Sequence, residues 1–188
     1  LDVLASAGAL KNIAGHRHSA RWQVSGTEKP LPLFGSMQRY EAAQMLSKPS
    51  EGQDIVADYR LTGLSLERHP LALLRHRLVR YRYRPATDLP TLTNGQPVCV
   101  AGLVITKQRP GTASGVTFVT LEDETGHINL VVWKTLADQY RAALLNARLM
   151  GVRGALQIEG KVIHVVAHEL IDHSDMLGAL TVRSRDFH

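Results

Sequence analysis

The change of hydrophobic period inside residues 98–168 constrains this chain more than any other feature of it. Residues 98–107 form an apolar run, followed by turn residues from Gly111 to Gly115. Residues 116–123 and 127–133 alternate apolar and polar side chains about Thr125-Gly126, the pattern of a hairpin. The period then shifts. Leu136, Tyr140, Ala143, Leu144 and Ala147 recur at three or four residues, which predicts one amphipathic helix over residues 135–146. Residues 149–158 and 162–168 return to strand patterning about Glu159-Gly160. Three strands, a helix and two more strands in roughly 70 residues is the order of a small Greek-key barrel.

That order is the one found in the OB-fold, so the expected class is α+β: a small N-terminal helical region followed by a five-stranded OB-fold barrel. Residues 1–90 read as the helical region with its linker, 91–170 as the barrel and 171–188 as a C-terminal tail. In the helical part, short helices end near Gly8 and Gly15, and another covers residues 16–24. Ser25, Gly26, Thr27, Pro30 and Pro32 then mark an irregular linker, and residues 36–47 are weakly helical. Ser50 and Gln53 have the spacing of a capping box for a helix to Arg60, and Gly63 breaks it. His69-Pro70 opens the next helix, whose Leu71, Leu74 and Leu78 share one face. It ends in Arg75, Arg77, Arg80, Arg82 and Arg84 with Tyr81 and Tyr83 between them, the densest basic and aromatic cluster of the chain.

Charge narrows the partners. The net charge is +5, and the excess lies in residues 1–90, with 13 Lys+Arg against 8 Asp+Glu, whereas residues 91–188 balance at 9 and 9. Electrostatic DNA affinity is therefore expected mainly from the cluster Arg75 to Arg84, with Arg80, Arg82 and Arg84 as the candidate phosphate contacts. On the barrel, alternation sends Val119, Leu121, Ile128, Leu130 and Val132 inward and turns Phe118, Asn129 and Trp133 outward. Aromatic rings on such a face stack on bases and an Asn reads a base edge, unless the helical domain covers the rings. Lys107, Arg109 and Lys161 flank the face in loops, with Gly111 to Gly115 able to follow a phosphate backbone. Gly102, Gly151 and Gly154 read as barrel bends.

Nothing in the sequence looks catalytic. Glu122, Asp123 and Glu124 read as a solvated turn, because successive strand residues point to opposite faces and cannot converge on metal ions. The histidines lack zinc spacing, no phosphate loop or dinucleotide fingerprint is present, and no metal or cofactor is expected. Cys99, the single cysteine, is expected to be a small buried core residue in a reducing cytoplasm. No apolar run reaches the ~20 residues that span a bilayer. The opening LDVLASAGAL has neither a leader nor an initiator Met, which predicts a start within a longer protein.

Four segments together carry a resemblance: AGALKNIAGHRHSARW, GLSLERHPLALLR, VAGLVITKQRPGTASGVTFVTLEDETGHINLVVW and the terminal SRDFH. The chain resembles the C-terminal region of bacterial error-prone, translesion DNA polymerases of the C family, relatives of the replicative alpha subunit. The resemblance implies a part without the polymerase's catalytic aspartates, which does not itself polymerise, and a barrel near the single-stranded or primer-template DNA. It implies a mutasome as well, with an inactive Y-family-like protein and a RecA-like accessory protein as partners. A clamp-binding peptide would fall at Pro30 to Phe34, with Leu31, Leu33 and Phe34 as anchors and Pro30 in place of the usual Gln. Two readings follow: a nucleic-acid-binding module, or a protein-interaction module that docks mutasome partners or the sliding clamp.

Overall fold

The computed structural model describes residues 1–26, 46–62, 68–111 and 115–182. The chain divides into two compact units, the first holding the helices before residue 67 and the second Glu67–Val182. Leu31, Leu33 and Phe34 lie outside the described residues, as does most of the helix expected over 36–47. Among the described residues no helix is long and apolar enough to cross a membrane.

In the first unit, α1 (Asp2–Ser6), α2 (Lys11–Ala14) and α3 (Arg17–Ser25) follow the breaks expected from Gly8 and Gly15. Both glycines sit at positive φ, 78° and 83°, where a side chain would be strained. His16 caps α3 by accepting from the Ser19 amide at 3.2 Å. The capping box of α4 (Glu51–Thr62) is formed in both directions, Ser50 N to Gln53 Oε1 at 2.8 Å and Gln53 N to Ser50 Oγ at 3.3 Å. Arg17, 4% exposed, joins α3 to α4 through Asp54, with Nε 3.2 Å from Oδ1, and through Asp58. Buried charge is tolerated there because two carboxylates lie along the edge of the guanidinium and the Asp54 carbonyl accepts from Nη1.

The second unit begins with α5 (Pro70–Arg80). His69 Nδ1 accepts from Leu71 N at 3.1 Å, Pro70 takes the first helical position, and Leu71, Leu74 and Leu78 are buried as the period requires. Arg82 at φ 62° then turns the chain, and Arg84 forms a parallel bridge to Val100. A 3-10 turn (Ala86–Thr91) leads into β1. Thus α5 and this turn share a unit with the strands.

Strands β1 (Pro97–Gln108), β2 (Thr117–Asp123), β3 (Gly126–Val132), β4 (Leu149–Glu159) and β5 (Val162–Asp172) close into a barrel in the order β1-β2-β3-β5-β4. The contact of β3 with β5 is parallel and the other four are antiparallel. Inward residues Val98, Val100, Val119, Leu121, Ile128, Leu130, Val132, Met150, Val152, Leu156 and Val165 fill the core. Each buried side chain of this kind stabilises the fold by about 1.5–3 kcal/mol. Closure needs close backbone approach. A Cβ on Gly102 would lie 2.7 Å from Leu121 Cβ, and one on Gly154, opposite a bulge at His168 of β5, would clash with the Val166 carbonyl oxygen.

Three expectations are corrected. The single helix over 135–146 is two, α6 (Lys134–Gln139) and α7 (Arg141–Asn146), parted at Tyr140. The break lets Leu136, Tyr140, Ala143 and Leu144 all pack on the curved barrel end. The tail is structured through residue 182: β5 runs to Asp172 and α8 (Ser174–Val182) follows, with Met176 buried. Cys99 is only half-buried, because Val98 and Val100 take the inward positions on either side of it.

Candidate nucleic-acid interface

Alternation along the β2–β3 hairpin fixes an outer row of facing pairs: Phe118 opposite Val131, Thr120 opposite Asn129, Glu122 opposite His127. Phe118 is 39% exposed and Trp133, at the start of α6, is 55% exposed. The Thr120 hydroxyl donates to Asn129 Oδ1 at 3.3 Å, so the Asn129 amide nitrogen is the donor left to face outward. Gln108 of β1 lies beside Phe118, and His164 of β5 beside Asn129. The face is therefore aromatic at one end and polar in the middle.

Cations gather at the aromatic end. Arg109 is exposed one residue beyond Gln108. Lys134 follows Trp133 and is packed by Gly115, where a Cβ would sit 3.0 Å from Lys134 Cδ. Sequence reasoning missed Lys134, although its place next to Trp133 was a usable signal. Lys161 belongs to the β4–β5 turn, which the parallel register of β5 with β3 puts near the other end of the face. Lys107 is set apart too. It pairs with the inward Val119 and its Nζ donates to the Leu145 carbonyl at 3.0 Å. Burial lowers its pKa, opposed by the charge of Asp172.

The arginine cluster divides. Arg80, Arg82 and Arg84 are exposed, but the bridge to Val100 places Arg84 about 25 Å along β1 from Gln108. Arg75 is held by Asp123 and Glu124, with Nη2 3.1 Å from Asp123 Oδ2 and 2.8 Å from Glu124 Oε2. Burial opposes the Arg75 charge, yet the hydrogen bond and charge of Glu124 raise its pKa. The acidic turn is not solvated as expected. The Asp123 side chain is 0% exposed and accepts from the amides of Ala86 at 2.8 Å, Thr125 at 2.7 Å and Gly126 at 3.0 Å. Those amides and Arg75 satisfy the hydrogen-bonding capacity of the buried side chain. Tyr83, between the exposed arginines, is buried on Gly151, and its hydroxyl bonds His173 Nε2 at 2.8 Å. Burial pushes the Tyr83 pKa up to about 12 and that of His173 down.

Residues 98–172, the whole span from β1 to the end of β5, match the family described as OB-fold nucleic acid binding domain. The barrel is an OB-fold. Over the full chain, the error-prone DNA polymerase of Alkalilimnicola ehrlichii is 57% identical and that of an Azoarcus species 53% identical. The chain spans 18% of the length of each. Among solved structures, asparaginyl-tRNA synthetase from Pyrococcus horikoshii, complexed with asparaginyl-adenylate, is similar over 48% of this chain and 22% of its own, at 23% identity and TM-score 0.42. Phe118 and Asn129 thus lie on strands 2 and 3 of an OB-fold, with Trp133 just beyond the end of strand 3, the face on which such barrels take single strands.

Proposed function

We propose that the OB-fold binds single-stranded DNA across β2 and β3, and that the chain is a non-catalytic C-terminal part of an error-prone DNA polymerase active in damage-induced translesion synthesis in the cytoplasm. The observation that carries the reading is the exposure of Phe118 and Trp133 at the end of the face where Arg109 and Lys134 stand. Rings stack on bases of any sequence, and the cations neutralise neighbouring phosphates. Identity of 57% and 53% along the whole of this chain to part of two proteins named error-prone DNA polymerase supports the wider context. Asn129 and Thr120 supply hydrogen bonds to the same face, which fits a role in holding template. The inactive Y-family-like protein and the RecA-like protein are the proposed mutasome partners, tested by co-elution with this chain.

The deciding experiment is a titration of a labelled oligothymidine with the 188-residue chain at two salt concentrations. Binding that weakens with salt and is reduced by Phe118→Ala or Trp133→Ala supports the reading. Binding by both folded variants that matches the parent refutes the assigned face.

A further inference from the structure

Strand β1 changes partners along its length. Residues 97–103 pair with β4 and residues 103–108 with β2. On the β4 side, Val104 N still donates to the Arg148 carbonyl at 2.9 Å, but among the described residues no strand pairs with that side of residues 105–108. Between this edge and residues 145–148 lies a cleft of about 380 Å³. Ile105 and Leu145 are two of its apolar walls, 47% and 61% exposed, and Lys107 and Arg148 are its cations.

We propose that this cleft takes an extended acidic segment of a partner protein as a short additional strand along β1. Main-chain groups on an open edge bond an incoming strand, while flanking pockets choose its alternate side chains. A bulge at Ile105 interrupts β1, so the regular open edge is residues 106–108, about 10 Å long, which matches three residues of added strand. Ile105 and Leu145 accept apolar side chains on one side of that strand, and Lys107 and Arg148 select carboxylates at its rim. Asp172, the acid whose charge reaches Lys107, is itself engaged as acceptor by Ser174 N at 2.9 Å and Ser174 Oγ at 2.5 Å. No aromatic residue lines the cleft, so it has no platform for a base. Lys107 points away from Gln108, the neighbour of Phe118, while Thr106 pairs with Thr120 of the outer row, so the cleft adjoins the proposed DNA face but carries its cations on the other side of β1.

The test uses the isotope-labelled 188-residue chain and a synthetic peptide of about eight residues alternating Val and Glu, long enough to span the edge. Amide resonances of residues 105–108 and 145–148 should shift saturably. Lys107→Glu and Arg148→Glu, which oppose like charges, should each weaken binding about tenfold, and a Val-Lys peptide should bind more weakly than the Val-Glu one. The proposal is overturned by shifts centred on Phe118 and Asn129, by equal binding of the Val-Lys peptide, or by no saturable shift. Tighter saturation of the same amides by an oligothymidine would assign the cleft to nucleic acid and likewise overturn it.

Discussion

Phe118 and Trp133 leave 39% and 55% of their surfaces in water, although full burial of a Phe-sized side chain is worth about 1.5–3 kcal/mol. Replacing either with Ala should therefore leave thermal stability nearly unchanged while weakening single-strand binding by about 1–3 kcal/mol, measured by fluorescence anisotropy. Gly154 should behave in the opposite way. Its missing Cβ faces backbone, the Val166 carbonyl oxygen, so Gly154→Ala should destabilise the fold by about 1–3 kcal/mol in denaturant titrations. The side on which Phe118 and Asn129 fall was legible because a strand alternates with a period of 2, and one inward residue fixes all the others. Lys107 was not. Alternation from Val98, Val100 and Val104 turns it outward, but a register shift between Val104 and Thr106 sets it opposite the inward Val119, and its carbonyl partner comes from α7, so only the folded chain brings the two together.

At the scale of elements, the arginine-rich end of α5 serves two purposes that its sequence does not separate. Arg75 anchors the β2–β3 turn, and Asp123→Asn should lower stability by about 1–3 kcal/mol, since an amide NH2 in place of one buried oxygen would face the Ala86 amide and Arg75 Nη2, although Glu124 still pairs the guanidinium. An unfolding midpoint equal to that of the parent would contradict that role. Arg80, Arg82 and Arg84 remain exposed. Replacing all three with Gln should reduce the magnitude of the salt slope of DNA binding by about one for each phosphate no longer neutralised, and an unchanged slope would remove them from the interface. Helix α5 itself was readable from its cap, its Pro70 and its leucine spacing. Helix α8 was hidden because Met176, Leu177, Ala179 and Leu180 make its sequence apolar without a clear face.

For the whole molecule, the barrel order was legible because the change from period 2 to period 3.6 and back leaves few arrangements for five strands and an intervening helical segment. The packing of α5 beside β1 was not, since it depends on a single positive φ at Arg82 and on Tyr83 seated over Gly151. These placements set the pH range of stability. Burial holds the His173 and His69 pKa values below 6.5 in the fold, so the unfolded chain takes up protons first and stability falls as pH drops below that value. Tyr83 ionises near 10 when unfolded and near 12 when folded, so stability also falls as pH rises from 10 to 12. Thermal unfolding midpoints should be highest between about pH 7 and 9, and Tyr83→Phe should flatten the alkaline decline. The closing seam of the barrel pairs Leu103 with Leu149 and Pro97 with Ala155. On a translating ribosome, at about 5–20 residues per second, β1 leaves the exit tunnel roughly 3–10 seconds before the strand that seals it. For that interval its hydrogen-bonding edge is open to other nascent chains, which makes the seam the step most exposed to misassembly and the place where a chaperone would act on this protein.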